Sequence, residues 1–95
     1  MGFLDDVAQE FVHAQQQHKP LNSLHEAYAV ILEELDEFWD EVRKKAEKRD
    51  PVFVYWELVQ IAAMAWRTVD NVLRRDDGSP GDARDLRTMP NEPEE

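Results

Sequence analysis

The chain has 95 residues, enough for one small domain, and apolar residues make up 42% of it. It carries 21 Asp and Glu against 11 Lys and Arg, which gives a formal net charge of −10 at pH 7. This acidity argues against nucleic-acid binding through phosphate contacts, although a divalent cation can still bridge carboxylates to the phosphates of a nucleotide. The absence of cysteine excludes disulfides and thiolate chemistry.

The N-terminal segment does not resemble a secretory signal, because MGFLDDVAQE places two acids where such a signal carries positive charge. The longest unbroken apolar run, IAAMAW at residues 61–66, is too short to span a bilayer. These features predict a cytoplasmic protein that does not bind membranes.

The first two predicted helices are separated by a proline. Residues 3–17 carry apolar side chains at helical spacing and end before Pro20. The second helix begins at Ser23, which forms a capping-box pattern with Glu26. The apolar positions expected to form its packed seam are Leu24, Tyr28, Ile31, Leu35, Phe38 and Val42. The basic run that ends at Arg49 is expected to lie at its C-terminal end.

The third helix is predicted to begin at Asp50-Pro51, with the aspartate as cap and proline at the first helical position. It is apolar on nearly all sides over residues 52–66, which is typical of a central buried helix. Gly78 follows as the expected stop. The second and third helices are each expected to reach about 25 residues, or about 38 Å.

These elements predict an all-α fold, an antiparallel bundle of about three helices formed by residues 1–75. Residues 76–95 hold three of the five prolines and seven acids, and are predicted to form a flexible acidic tail. Because so small a body would leave an apolar face uncovered, we expect self-association into a homodimer or homotetramer.

Acidic residues on the second helix form the first candidate site. Glu34 and Glu37 are three residues apart, so their side chains can converge on one helix face. Repulsion between them costs stability unless a base or a cation offsets it. The alternative is that this acidic stripe is only the solvated face of an amphipathic helix.

The third helix contributes two polar residues within an otherwise apolar run, Glu57 and Gln60. A glutamate in a buried helix must be paired, protonated or bound to a metal. In a hairpin of the second and third helices, Glu57 would face Glu34 and Glu37 at an approximately matching level. Arg67 shares the stripe of Glu57, either as its ion-pair partner or as a phosphate contact.

The pattern Glu33-Glu34-Leu35-Asp36-Glu37, followed 19 residues later by Glu57-Leu58-Val59-Gln60, resembles the signature of MazG-type nucleotide pyrophosphohydrolases. That signature is E-E-x-x-E followed after a spacer by E-x-x-D. The resemblance covers about residues 22–75 and implies a helical enzyme that assembles as dimers or tetramers. The implied reaction converts a (d)NTP and water to a (d)NMP and pyrophosphate, with Mg²⁺, or alternatively Mn²⁺, on the phosphates.

The resemblance also implies the roles of individual residues. Glu34, Glu37, Glu57 and Gln60 would be metal ligands, and Glu33 and Glu37 the catalytic acids. Arg67 and Lys44 are the predicted contacts of the substrate phosphates. Gln60 stands where the family has Asp, and its amide oxygen can bind Mg²⁺ but brings no charge. The rival hypothesis is a non-catalytic helical interaction protein derived from the same fold.

Overall fold

The computed structural model of the protein describes residues 2–74. Regular structure within this range is entirely helical: α1 (Phe3–Gln17), α2 (Leu24–Val42), a 3₁₀ turn (Ala46–Lys48), α3 (Pro51–Thr68) and a π-helical turn (Val69–Leu73). The all-α prediction with three helices is therefore confirmed. The predicted tail and Gly78 lie outside the described residues.

The predicted start of α2 at Ser23 is confirmed. The Ser23 hydroxyl accepts a hydrogen bond from the Glu26 backbone N–H at 3.0 Å. The Glu26 carboxylate reaches back one residue further than in a standard capping box, to the Asn22 N–H at 2.7 Å. The Ser23 hydroxyl thus satisfies one of the free N–H groups of the first turn, and the Glu26 carboxylate fixes the backbone that enters the helix.

Helix α2 ends at Val42 after 19 residues, so the expected length of about 25 residues was wrong. The basic run lies in the connection to α3 rather than in the last turn of α2. The Arg49 side chain folds back over this connection, and its Nε donates to the Val42 carbonyl at 3.0 Å. The basic run therefore caps the C-terminal end of α2 from outside the helix, through the side chain of Arg49.

Helix α3 begins as predicted, with the Asp50 carboxylate accepting from the Val52 N–H at 3.0 Å and Pro51 at the first helical position. Its α-helical part has 18 residues, and the π-helical turn continues it to Leu73.

Helix α3 is the central element and packs against both α1 and α2. Phe3 contacts Tyr55, and Gln15 bonds to Asn71, so α1 and α3 run in the same direction. Glu41 near the end of α2 bonds to Asp50 just before α3, so these two helices are antiparallel. Consecutive helices therefore alternate up, down and up.

Small side chains dominate the core. Its main cluster joins α1 to α3 through the buried residues Val7, Ala14, Val59, Ala63 and Met64. A second cluster of Leu21, Ala27 and Val72 closes the end where α1 passes into α2. The only large side chains among residues 2–74 that are fully buried are Val59 and Val72. So thin a core makes polar contacts between the helices more important for holding them in place.

The predicted seam of α2 was wrong at three positions, since Leu24, Tyr28 and Leu35 are 53%, 67% and 42% exposed. The side of α2 that packs on α3 lies about one sixth of a turn around the helix. Its members are Ala27, Ile31, Glu34, Phe38 and Glu41. Helix α2 has two neighbouring apolar stripes, and the fold buries the one with smaller and more polar residues.

The exposed stripe, here called the α2 apolar stripe, consists of Tyr28, Leu32, Leu35 and Trp39. Helix α3 is also less buried than predicted, because Val52, Phe53, Trp56 and Trp66 are all more than 40% exposed. Seen along α2, the buried side separates the acidic face from the α2 apolar stripe.

We predict that Glu41→Ala destabilises the fold. The Glu41 carboxylate is buried and accepts from the Asp50 backbone N–H at 2.7 Å and from Lys44 Nζ at 2.9 Å. Its loss leaves the Asp50 N–H without this partner, so Tm should fall by about 4–8 °C or more. The matched control is Asp40→Ala, because the Asp40–Arg43 pair is exposed and should matter little. Equal Tm values for the two variants would contradict the prediction.

Candidate metal centre

Three glutamates from α2 and α3 converge. One carboxylate oxygen each from Glu34, Glu37 and Glu57 lies within 4.8 Å of the others. Opposite ligands of an ion with oxygen bonds of 2.0–2.6 Å are separated by roughly 4–5 Å, so the three oxygens can share one cation. The predicted meeting of these residues across the hairpin is confirmed.

The turn between α2 and α3 explains why Glu34 and Glu57 lie at the same height along the two helices. Because α2 ends at Val42, the connection to α3 begins earlier than the sequence suggested. The hydrogen bond between Glu41 and the Asp50 N–H places these two residues at the same height on the antiparallel helices. Glu34 precedes Glu41 by about two helical turns and Glu57 follows Asp50 by the same distance, which brings their carboxylates together.

Burial is uneven across the cluster. Glu57 is 8% exposed, Glu34 is partly buried and Glu37 is exposed. Among residues 2–74, Glu57 Oε1 is the one buried side-chain nitrogen or oxygen atom without a hydrogen-bond partner. A buried carboxylate oxygen without a donor is costly, and a bound cation or a proton would offset that cost.

The electrostatics of the cluster favour protonation when no cation is bound. Burial, followed by the negative charges of Glu37 and Glu57, raises the pKa of Glu34 from 4.5 to about 7. Burial and the charge of Glu37 also raise the pKa of Glu57. Shifts of this kind are typical of carboxylates placed together at functional sites.

The other predicted ligand and catalytic residues lie close to this cluster. Gln60 is one turn after Glu57 and lines a cavity together with Glu33 and Glu34. Glu33 is exposed, and its charge adds to the upward shift in the pKa of Glu34. Lys44 borders a second depression that also includes Glu37, but its ammonium is paired with Glu41.

Arg67 is not the ion-pair partner of Glu57, which was one of its two sequence interpretations. It is 2% exposed and makes no ion pair with Glu57. Its Nε donates to Gln15 Oε1 at 2.9 Å and its Nη2 to the Lys19 carbonyl at 3.0 Å. Arg67 therefore joins α3 to the end of α1, and its predicted phosphate contact stays a prediction.

Sequence reasoning missed Glu41, Gln15 and Asn71. By helical spacing Glu41 belongs to the acidic face of α2, yet it is buried, and its bonds to Lys44 and the Asp50 N–H lower its pKa. Gln15 and Asn71 face each other across 56 residues of sequence, which no local spacing can reveal. The position of Glu41 directly before the connection was the one available signal.

Comparison with known proteins gives no match to any family model, curated protein or solved structure. No helix within residues 2–74 has the length and apolar character needed to cross a membrane. The interpretation of the cluster therefore depends on its own geometry and chemistry.

We predict that the cluster makes stability fall with rising pH and that added metal opposes this fall. The folded chain binds a proton at Glu34 between about pH 4.5 and about 7, where the unfolded chain has lost it. Without added metal, the free energy of unfolding should therefore fall as pH rises through this range. Millimolar Mg²⁺ or Mn²⁺ should raise Tm, and by more at about pH 8 than at about pH 5.

Urea denaturation and thermal melts across this pH range would measure both effects. The variant Glu34→Gln removes the titrating group, so it should lose part of the pH slope and most of the metal-dependent stabilisation. Asp36→Asn, an exposed neighbour outside the cluster, is the control. Identical pH and metal responses in Glu34→Gln and Asp36→Asn would contradict the prediction.

Proposed function

We propose that the protein is a Mg²⁺-dependent nucleotide pyrophosphohydrolase that converts a (d)NTP to a (d)NMP and pyrophosphate. The observation that carries the proposal is the convergence of Glu34, Glu37 and Glu57 around a buried carboxylate oxygen with no hydrogen-bond partner. The resemblance of the two motifs to the MazG-type signature supplies the reaction. A cytoplasmic location is part of the same proposal.

The donor set fits the proposed ion. Mg²⁺ and Mn²⁺ prefer oxygen ligands, and the cluster offers three carboxylates from two helices that pack together. When bound, the ion would neutralise charge on the substrate phosphates and hold them in place. Glu57, buried in the central helix, would be the fixed ligand, and the exposed Glu37 the one that adjusts to substrate.

The glutamine at position 60 is compatible with this proposal. Three carboxylates already bring three negative charges to a site for a doubly charged cation, so a fourth acid would add to the repulsion within it. The amide oxygen of Gln60 offers a ligand without that cost. Its neutrality also means that proton transfer must come from another residue.

Glu33 is the residue we assign to the attacking water. It is exposed on the same helix as Glu34 and Glu37, and it lines the cavity that Glu34 and Gln60 border. A carboxylate there can accept a hydrogen bond from water and take up its proton as the oxygen attacks phosphorus. Lys44 remains the proposed contact of the phosphates, and its ammonium would have to leave Glu41 or bind both.

The direct test is pyrophosphate release from a panel of canonical and modified (d)NTPs with Mg²⁺ and then Mn²⁺. We expect release, and we expect Glu37→Gln to lower the rate by at least about a hundredfold, because a charged ligand is lost. Asp36→Asn should keep full activity, since Asp36 lies outside the cluster. If Glu37→Gln leaves the rate of release unchanged, the cluster takes no part in the reaction. If no nucleotide of the panel releases pyrophosphate, the proposed hydrolase activity is refuted.

The second candidate function is a helical assembly protein without catalysis. The α2 apolar stripe favours it, since its four residues are each at least 40% exposed and lie on one side of the helix. A second copy of the chain is the occupant we propose for this stripe. The same assembly would complete the bundle of an enzyme, as the resemblance implies, so the two candidates differ in catalysis and not in association.

We predict that the chain is a dimer or tetramer at micromolar concentration, measured by analytical ultracentrifugation. Leu35→Glu should shift it to a monomer, because a charge in the centre of the α2 apolar stripe must be desolvated when the interface forms. Val12→Glu is the control, because Val12 is an exposed apolar residue on α1, outside the α2 apolar stripe. A wild-type monomer at this concentration would refute self-association through this face.

A further inference from the structure

The three helices enclose a cavity of about 500 Å³ that extends away from the carboxylate cluster. Glu33, Glu34 and Gln60 border one part of it, and Met64, Arg67 and Lys19 border another. Glu34 belongs to both the cluster and the cavity, so the two are continuous. The volume is in the range of pockets that bind small organic ligands.

Arg67 is a buried cation with no carboxylate in direct contact. It lines this cavity although it is only 2% exposed, and it makes no ion pair with any acid among residues 2–74. The charge of Glu26, which borders the same cavity, acts on it from beyond ion-pair distance. A guanidinium has five N–H donors. Two of them bond to oxygen acceptors, and Nη1 lies 3.9 Å from Met64 Sδ, a weak acceptor. Arg67 therefore retains N–H donors for which residues 2–74 supply no oxygen acceptor.

Neighbouring amides hold this guanidinium in place. Gln15 Nε2 donates to Asn71 Oδ1 at 3.0 Å, and Asn71 Nδ2 donates to Gln15 Oε1 at 3.2 Å. The same Gln15 oxygen accepts from Arg67 Nε. The paired amides fix the plane of the guanidinium before any ligand arrives, which lowers the entropic cost of binding.

The distance from the cluster determines what Arg67 can touch. Glu57 and Arg67 are ten residues apart on one α-helix, which corresponds to about 15 Å along its axis. A charged contact with phosphate requires a separation of about 4 Å or less. Phosphates held at the cluster would thus be out of direct reach of Arg67, while the base of the same nucleotide would extend toward it.

We propose that this cavity is the nucleobase pocket of the enzyme and that Arg67 reads the base, an inference that rests on the proposed function. An arginine fork pairs with two adjacent acceptors, such as O6 and N7 of guanine. Cytosine presents a comparable pair in O2 and N3. Adenine places an amino donor beside N7, and uracil places N3–H between its two carbonyls. The pocket therefore selects guanine or cytosine nucleotides over adenine and uracil nucleotides.

Calorimetric binding of GMP, CMP, AMP and UMP to the full chain with Mg²⁺ tests this selection. Monophosphates are not cleaved in the proposed reaction, so the result is independent of turnover. We expect GMP, CMP or both to bind at least about tenfold more tightly than AMP and UMP. The tighter binder of GMP and CMP shows which base the pocket prefers. Equal affinity for all four, or no binding of any, would overturn the inference even if pyrophosphate release is observed.

Two changes show whether Arg67 is responsible. If GMP is the preferred ligand, 7-deaza-GMP, which lacks the N7 acceptor, should bind about tenfold less tightly to the unaltered protein. Arg67→Lys should abolish the preference, because an ammonium lacks the planar fork. Arg74→Lys is the matched control, since Arg74 is exposed and pairs with Asp70. A preference that persists in a folded Arg67→Lys protein would overturn the role of Arg67.

Discussion

The hydrogen bond from the Asp50 N–H to the Glu41 carboxylate determines how α2 and α3 align. It joins the last turn of one helix to the cap of the next, across a connection that contains only a single 3₁₀ turn. Because helices propagate this alignment rigidly, the level of Glu34 relative to Glu57 follows from it. A cluster two turns away thus depends on a contact that takes no part in its chemistry.

Repulsion and burial within the cluster lower the stability of a fold whose hydrophobic core is already thin. Three glutamates approach within 4.8 Å, one of them buried, in a domain whose only fully buried large side chains within residues 2–74 are two valines. Natural proteins accept such local costs where a site needs them. Burial, followed by repulsion from Glu37 and Glu57, raises the pKa of Glu34, so the same cost appears as a tendency to bind a proton. A cation at this position would turn the repulsion into attraction.

Local signals in the sequence were sufficient for the three helices and for the meeting of the glutamates on α2 and α3. Ser23, Asp50 and Pro51 mark helix starts through bonds made within a few residues, so a single sequence reveals them. The convergence of Glu34, Glu37 and Glu57 could be anticipated because a short connection forces neighbouring helices to pack antiparallel. These parts of the fold depend on short-range geometry.

The parts that failed depend on choices that only tertiary packing makes. Helix α2 has two apolar stripes of similar strength, and periodicity cannot tell which one α3 will cover. Tyr28 and Leu35 were assigned to the core for this reason, yet both are exposed. Arg67 was expected near Glu57, but its hydrogen bonds go to Gln15 and Lys19 on a different part of the chain. The local spacing of residues cannot indicate contacts between side chains that are about 50 positions apart in the sequence.

The π-helical turn at Val69–Leu73 has a consequence for how the chain can tolerate insertions and deletions. Such a turn accommodates one residue more than the α-helix around it. It begins two residues after Arg67 and contains Asn71, whose amide meets Gln15. Deleting one residue within this turn would therefore restore ordinary α-helical winding, and Arg74 would keep its orientation relative to Arg67. The position of the deletion would then decide whether the Asn71 amide still meets Gln15.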